Sequence, residues 1–310
     1  MRIVSLLASG TEIVCGLGAG ADLVGRSHEC DNPEWVRELP VCTRPAFDVE
    51  VSSGKIDAEV RRRLKTGEPL YHVDTDFIRR LEPDLLITQE HCEVCAVTPN
   101  DIARTGCATF APQVIALSAG TVPGIYDGIL AVGKAIQRDA AAVALVEEMQ
   151  SRIAAVSDAV RHKSPPTVVM LEWTDPIFSM GNWAPELVEA ANGKLSLGHV
   201  GQHSAAIPWE MVRASDPDYL IVAPCGYNLE KSGREAAVLE VLPGWFDLRA
   251  VRNGKVVFAD GNKFFNRSGT TIVETVEIIA EILHGQRTRK SREGVAWKRY
   301  AFSSQALVKT

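Results

Sequence analysis

The sequence predicts an α/β protein of two Rossmann-like lobes with parallel sheets, joined by one long backbone helix. Three observations carry this prediction. Short apolar strands alternate with amphipathic helices along most of the chain, which is the pattern of βαβ units. A Pro-Asp-apolar pattern occurs twice, as "LEPDLLIT" and "SDPDYLIV", roughly half a chain apart, a weak internal duplication. Between the halves, Leu145, Met149, Ile153, Val156 and Val160 fall at helical spacing without interruption.

The elements follow in order. "RIVSLL" is strand-length and apolar. "TEIVCGLG" is a short helix that stops at Gly18 or Gly20, since glycine takes the left-handed conformation a helix end requires. "DLVGRSH" supplies a second strand. "TDFIRRLEPDLLIT" reads as helix, turn through Pro83 and strand, and "TFAPQVIAL" as another strand. The stripe after it starts at Asp139, a capping residue, and ends before Pro165-Pro166. A helix of about 24 residues would be roughly 36 Å long at about 1.5 Å per residue. The second half repeats the plan: "PTVVMLEW" as strand, "APELVEAANG" as helix with a glycine stop, and "WEMVRASDPDYLIVAPCG" as helix, turn and strand. "AVRNGKVVFAD" reads as a hairpin-like edge and "TTIVETVEIIAEILHG" as a closing helix. The boundaries are then 1–138 for the first lobe, 139–163 for the linking helix, 164–285 for the second lobe and 286–310 for a basic tail. That tail holds six Lys or Arg and one Glu in "QRTRKSREGVAWKRY" and reads as a solvated, partly disordered segment.

Composition excludes some classes. The 310 residues have 46% hydrophobic and 23% charged content, ordinary for a soluble globular protein. The net charge of −6 gives no basic field to attract nucleic acid. No apolar run reaches the roughly 18 residues of a membrane span. The opening "MRIVSLLASGTEIVCGLG" has the length of a signal peptide, but Glu12 lies inside it and its removal would delete a strand and a helix. A cytoplasmic protein is expected on that ground. Seven cysteines, Cys15, Cys30, Cys42, Cys92, Cys95, Cys107 and Cys225, then read as reduced thiols.

Chemistry-bearing residues gather at strand ends, where parallel sheets place ligand sites. His28, Glu29, Cys30 and Asp31 follow one strand; Glu90, His91, Cys92 and Cys95, in "QEHCEVCAV", follow another. Cys30, Cys92 and Cys95, with His91 or Cys42, would suit zinc, an iron–sulfur cluster or another soft metal. The bland reading is small buried cysteines packing a loop. A thioredoxin-like pair would open a helix in a different βαβ context. Ser9 lies at the first strand's end. In the second half, Trp173, Trp183, Trp209, Tyr227 and Phe264 or Phe265 stand beside strand and helix ends, suited to a flat macrocycle or to core packing. Glu172, Asp175, Asn182, His199 and His203 share those loops, and a histidine there would ligate a metal centre from one axial side. Arg267 would pair with a carboxylate on the ligand or on the opposite lobe. No G-x-S-x-G occurs, and "GLGAGADLVG" follows a helix, a poor context for a dinucleotide loop.

The pieces "IVSLLASGTEIV", "SHECDNP", "QEHCEVCAV", "LEWTDP", "GNWAPELVEAANG", "DPDYLIVAPCGYNLE" and "PGWFDLRAVRNGKVVFADG" together resemble the class III substrate-binding proteins, the cobalamin and iron-chelate binding fold. They cover nearly residues 1–285 and look most like a cytosolic-looking, cobalamin-binding branch. The resemblance implies a ligand held in the cleft between two lobes, and the residue types at strand and helix ends offer Ser9, His28, Glu29, Glu90, Glu172, Trp173, Asp175, Asn182, Trp183, His199, Trp209, Tyr227, Phe264 and Arg267 as its contacts. It implies cobalamin or another corrinoid as ligand, and a transporter or corrinoid-handling protein as partner. "FFNRSGTT" stands where relatives are expected to carry a proline-rich, two-arginine stretch, and Asn182 where a histidine is common. Two other classes compete: a metal or iron–sulfur protein built on Cys30, Cys92 and Cys95, and an enzyme acting on a small ligand.

Overall fold

A computed structural model describes residues 1–90, 94, 96–98, 112–287 and 290–301. The chain is α/β with parallel sheets and divides into two compact units. Unit 1 holds residues 1–151 with 267–270, and unit 2 holds 152–266 with 271–310.

Unit 1 is built on a sheet of four strands in the order β2-β1-β5-β6, all parallel: β1 (Ile3–Ser5), β2 (Leu23–Arg26), β5 (Leu85–Gln89) and β6 (Gln113–Leu117). β3 (Thr43–Pro45) and β4 (Tyr71–Val73) form a separate antiparallel pair. The first apolar run is strand only to Ser5. Residues Ala8–Gly16 then form a helix, and Gly18 beyond it has φ +72°. That helix lies against the sheet with almost no clearance: a methyl at Gly10 would come within 2.6 Å of the Ile87 side chain. Of the segment "TFAPQVIAL", only Pro112 and the strand from Gln113 lie within the described residues.

Unit 2 carries a seven-stranded sheet. Its path is β10-β8-β7-β11-β12-β13, with β9 (Lys194–Leu195) paired to β7. β7 (Thr167–Thr174), β11 (Tyr219–Val222) and β12 (Val256–Ala259) are parallel to one another. β8 (Ile177–Ser179), β10 (Ala205–Ala206) and β13 (Trp297–Arg299) pair antiparallel at the two sides. The core packs Val169, Leu171, Leu220, Val222 and Phe258 against Trp209, Trp245 and Leu239. Two expectations change here. The run "VVFA" is no hairpin edge: it is buried along its length, lies between β11 and β13, and follows a short helix, Arg249–Arg252. An all-apolar strand needs cover on both faces, which an edge hairpin lacks. Nor is the basic tail solvated throughout: Trp297 is buried and its strand extends the sheet.

The duplicated motif has a structural counterpart. In unit 1 the Arg2 N–H donates to Asp84 Oδ2 at 2.8 Å, and β1 continues beside β5 with Ile3 opposite Leu85. In unit 2 the Thr167 N–H donates to Asp218 Oδ2 at 2.9 Å, and β7 continues beside β11 with Val168 opposite Tyr219. Each Pro-Asp thus satisfies a backbone amide at the start of the neighbouring strand, Arg2 just before β1 and Thr167 at the head of β7, and the same register follows in both sheets. The long helix runs Asp139–Val160, 22 residues, and contributes to both units. Its carboxyl end is closed by Asn192, whose amide donates to the carbonyls of Val160 and Lys163 at 2.9 and 2.8 Å.

Candidate functional site

In unit 1 the carboxyl ends of β1, β2 and β5 share one edge, since the strands are parallel. After β2 the chain makes a turn, Ser27–Cys30, closed by the Cys30 N–H donating to the Ser27 carbonyl at 3.2 Å. His28 and Glu29 occupy the two central positions. His28 Nδ1 lies 2.7 Å from Thr43 Oγ1, its Nε2 lies 3.4 Å from Glu29 Oε1, and its ring meets Tyr71 at 5.6 Å. Two buried guanidiniums hold this turn. Arg26 donates to the carbonyls of Ser27, Cys30, Leu39 and Arg37. Arg267 donates to Glu12 Oε1 at 2.8 Å, to Asp31 Oδ1 at 2.6 Å and to the Glu29 carbonyl at 3.5 Å. Its side chain is only 5% exposed. Burial works against its charge, but the Glu12 and Asp31 carboxylates outweigh that and raise its pKa. Arg267 is thus paired with two carboxylates of the protein itself, both inside unit 1.

Ser9 is buried against Gly269, and its hydroxyl has no hydrogen-bond partner among the described residues. Glu90 is exposed at the end of β5, its N–H donating to Leu117. Cys30 accepts from Thr11 Oγ1 at 3.0 Å and is 1% exposed. Burial pushes its thiol up to about 11, and that of Cys42 to about 12. Both thiols pack in the interior, Cys42 in a cluster with Val4, Leu6, Ile78, Leu86 and Val97. His91, Cys92 and Cys95 lie outside the described residues. Among the described residues no group of three or more His, Cys, Asp or Glu side chains is arranged to hold a metal ion.

In unit 2, β7 ends in Glu172, Trp173 and Thr174. Trp173 is half-buried, donates its indole N–H to the Asp175 carbonyl at 3.0 Å, and meets Tyr227 edge-on at 5.2 Å. Lys231 Nζ stands over the Tyr227 ring, 4.3 Å from its centroid. The result is a short aromatic strip with a cation at one end. Beside it, the Glu172 carboxylate accepts the Ser204 hydroxyl, and Ser204 Oγ accepts the Gly181 N–H at 3.0 Å. Asn182 has φ +50°, a conformation asparagine tolerates better than most residues, and its N–H and carbonyl clasp Gln202 and Gly201. Asp175, His199 and His203 are exposed.

The remaining aromatics are interior. Trp209 belongs to the core with Trp245, its indole N–H bound to the Pro243 carbonyl at 2.8 Å. Trp183 is 6% exposed at the start of the Ala184–Ala190 helix. Tyr227 shows 3% of its surface, and Phe264 and Phe265 are buried. Phe264 sits under the Arg292 guanidinium at 5.5 Å. Sequence reasoning missed Arg26, Ser204 and Lys231. It also missed the role of Glu12, although a carboxylate inside the apolar run "TEIV" signals a buried partner.

A family model described as periplasmic binding protein matches residues 3–262. The chain is similar to an uncharacterized ABC transporter substrate-binding lipoprotein, YvrC, of Bacillus subtilis (strain 168), 23% identical over 290 residues, covering 91% of this chain and 80% of that protein. Its fold is similar to a periplasmic heme binding protein from Pseudomonas aeruginosa, with TM-score 0.72, 18% identity and coverage of 98% and 99% of the two chains. It is also similar to the periplasmic vitamin B12 binding protein BtuF of Vibrio cholerae, with TM-score 0.64, 18% identity and coverage of 91% and 96%. These likenesses overturn the expectation of a cytoplasmic protein and of a cytosolic branch: the relatives are named as periplasmic proteins or as a lipoprotein. The expectation rested on reading "RIVSLL" as strand rather than leader. The run is a strand, Ile3–Ser5, but a strand's presence says nothing about the compartment.

Proposed function

Since the chain belongs to the periplasmic binding protein family, we propose that it is the substrate-binding component of an ABC importer, acts outside the cytoplasm, and carries a corrinoid or related metal chelate. The observation that carries this reading is the Trp173–Tyr227–Lys231 strip at the carboxyl edge of the unit 2 sheet. A half-exposed indole backed by a second ring offers a flat apolar face to a macrocycle, and stacking there is worth about 1 kcal/mol beyond area burial. In unit 1 the His28–Glu29 turn tip supplies a nitrogen and a carboxylate at the same type of sheet edge, groups suited to a metal centre or to amide side chains. The names of the relatives, for vitamin B12 and for heme, support the chelate class without choosing within it.

Calorimetric titration with cobalamin, cobinamide and hemin tests the reading. At least one is expected to bind the wild-type protein, with Trp173→Ala weakening it by about tenfold. Absence of heat with all three on folded protein rejects the chelate reading.

A further inference from the structure

We propose that the buried cluster of Glu12, Arg267 and Asp31 is a positioning clasp that fixes the turn carrying His28 and Glu29, so that Arg267 acts on ligand binding through that turn and not by touching the ligand. The inference rests on the ligand-binding role proposed above. Its basis is the arrangement of donors. Glu12 is buried on the Ala8–Gly16 helix and anchors one guanidinium nitrogen at 2.8 Å. The other nitrogen reaches Asp31 at 2.6 Å and the Glu29 carbonyl at 3.5 Å, both within the turn region. Asn32 Nδ2 donates to the same Glu12 oxygen at 3.0 Å, and Arg37 approaches the far oxygen of Asp31 at 3.6 Å.

The turn is gripped from its other end by Arg26, which takes the carbonyls of Ser27 and Cys30 at 3.0 and 3.2 Å. His28 and Glu29 therefore project from a segment whose backbone is tied by two guanidiniums. Arg26 donates to four backbone carbonyls. Arg267 alone of the two ties the turn to a different helix, through carboxylates. A planar fork with fixed donor directions defines where Asp31 and the Glu29 carbonyl must stand. Lysine would keep the charge and lose the fork.

The ring resonances of His28 in the ligand-free protein, assigned by their loss in His28→Gln, are the direct readout. Asp31→Asn keeps the shape of the side chain and removes the charge at a partly exposed position, so it should fold. It is expected to shift or broaden those resonances, as should Arg267→Met, with Arg267→Lys intermediate. Cobinamide and hemin titrations form the second arm: Asp31→Asn is expected to weaken the bound probe by about tenfold, and no further in a His28→Ala background. Unmoved His28 resonances in Asp31→Asn overturn the clasp, as does a loss that simply adds to that of His28→Ala. The resonance test needs no ligand, so a wild-type protein that binds neither probe overturns the functional reading alone.

Discussion

At the residue scale, Arg267 decides most. Two carboxylates and a carbonyl surround a guanidinium that is almost removed from water. Breaking a buried pair by removing one partner leaves the other charge uncompensated. Arg267→Met is therefore expected to destabilise by about 3–5 kcal/mol in urea unfolding, the usual range for such a loss. Replacing a surface pair such as Arg234–Glu230 should cost less than about 1 kcal/mol. The thiols give a second prediction. Burial raises Cys30 to about 11 and Cys42 to about 12, from 9.0. A raised acid pKa favours the folded state below the ordinary thiol value and withdraws that support as pH climbs through the folded one. Stability should accordingly fall between pH 9 and about 11–12 by a thiol-dependent amount, which Cys30→Ala and Cys42→Ala diminish. At pH 8 iodoacetamide should leave both unlabelled in native protein, as mass spectrometry would read. Rapid native labelling of Cys30 would contradict the packing role.

At the element scale, the segment Lys290–Ala301 behaves as a strap on unit 2. It adds β13 to the open side of β12, with Ala259 opposite Trp297. β13 thereby replaces β12 as the edge of the sheet, and a three-residue strand carrying Lys298 and Arg299 is a poorer template for aggregation than the apolar β12 would be. Glu281, buried on the Ile272–His284 helix, is the anchor: it accepts from Ser291, from the Arg292 N–H at 3.0 Å and from the Trp297 indole at 3.3 Å. Burial pushes the carboxyl up, and those three donors outweigh it and hold the pKa below the ordinary value. A lowered carboxylate pKa contributes stability above the unfolded value that is lost as pH falls through the folded one. The strap should thus loosen selectively in acid, visible as faster hydrogen exchange in residues 290–301 once the pH falls below the ordinary carboxylate range. Glu281→Gln should remove that pH dependence. Trp297→Ala, which empties a fully covered site, should cost about 3–5 kcal/mol.

At the scale of the whole molecule, ligand and stability are linked. A chelate that binds only the folded chain at a hundredfold excess over Kd stabilises it by about 2.7 kcal/mol. Thermal unfolding with and without cobalamin or hemin should show that gain, and Trp173→Ala should reduce it in step with its weaker affinity. A ligand-independent midpoint would separate this protein from the binding role proposed for it. The repeated Pro-Asp anchor also belongs at this scale. Asp84 and Asp218 cap the neighbouring strand in two sheets, but Asp218 also accepts the Thr167 hydroxyl and pairs with Arg249, so Asp218→Asn is expected to destabilise its unit more than Asp84→Asn does its own.

The alternation of strands and helices was readable from period and turn chemistry alone. "PDLLIT" and "PDYLIV" announced two buried parallel strands, and Gly18 and Gly285 marked helix ends where their positive φ indeed lies. Such features depend on neighbours in the chain, and local patterns record them. The site was readable only as a collection of residue types. Trp173 and Trp209 carry the same side chain at similar strand- and helix-end positions, yet one is half-exposed beside Tyr227 and the other is sealed in the core. Nothing within a few residues of either separates them, because exposure depends on what packs from elsewhere. Arg267 shows the limit most clearly: its partner Glu12 is 255 positions away, and an arginine followed by Ser-Gly looks the same whether it awaits a ligand or is already paired. The periods of hydrophobicity determine elements because backbone geometry is local. The partners of buried charges are chosen by folding, because only there does desolvation force each charge to find one.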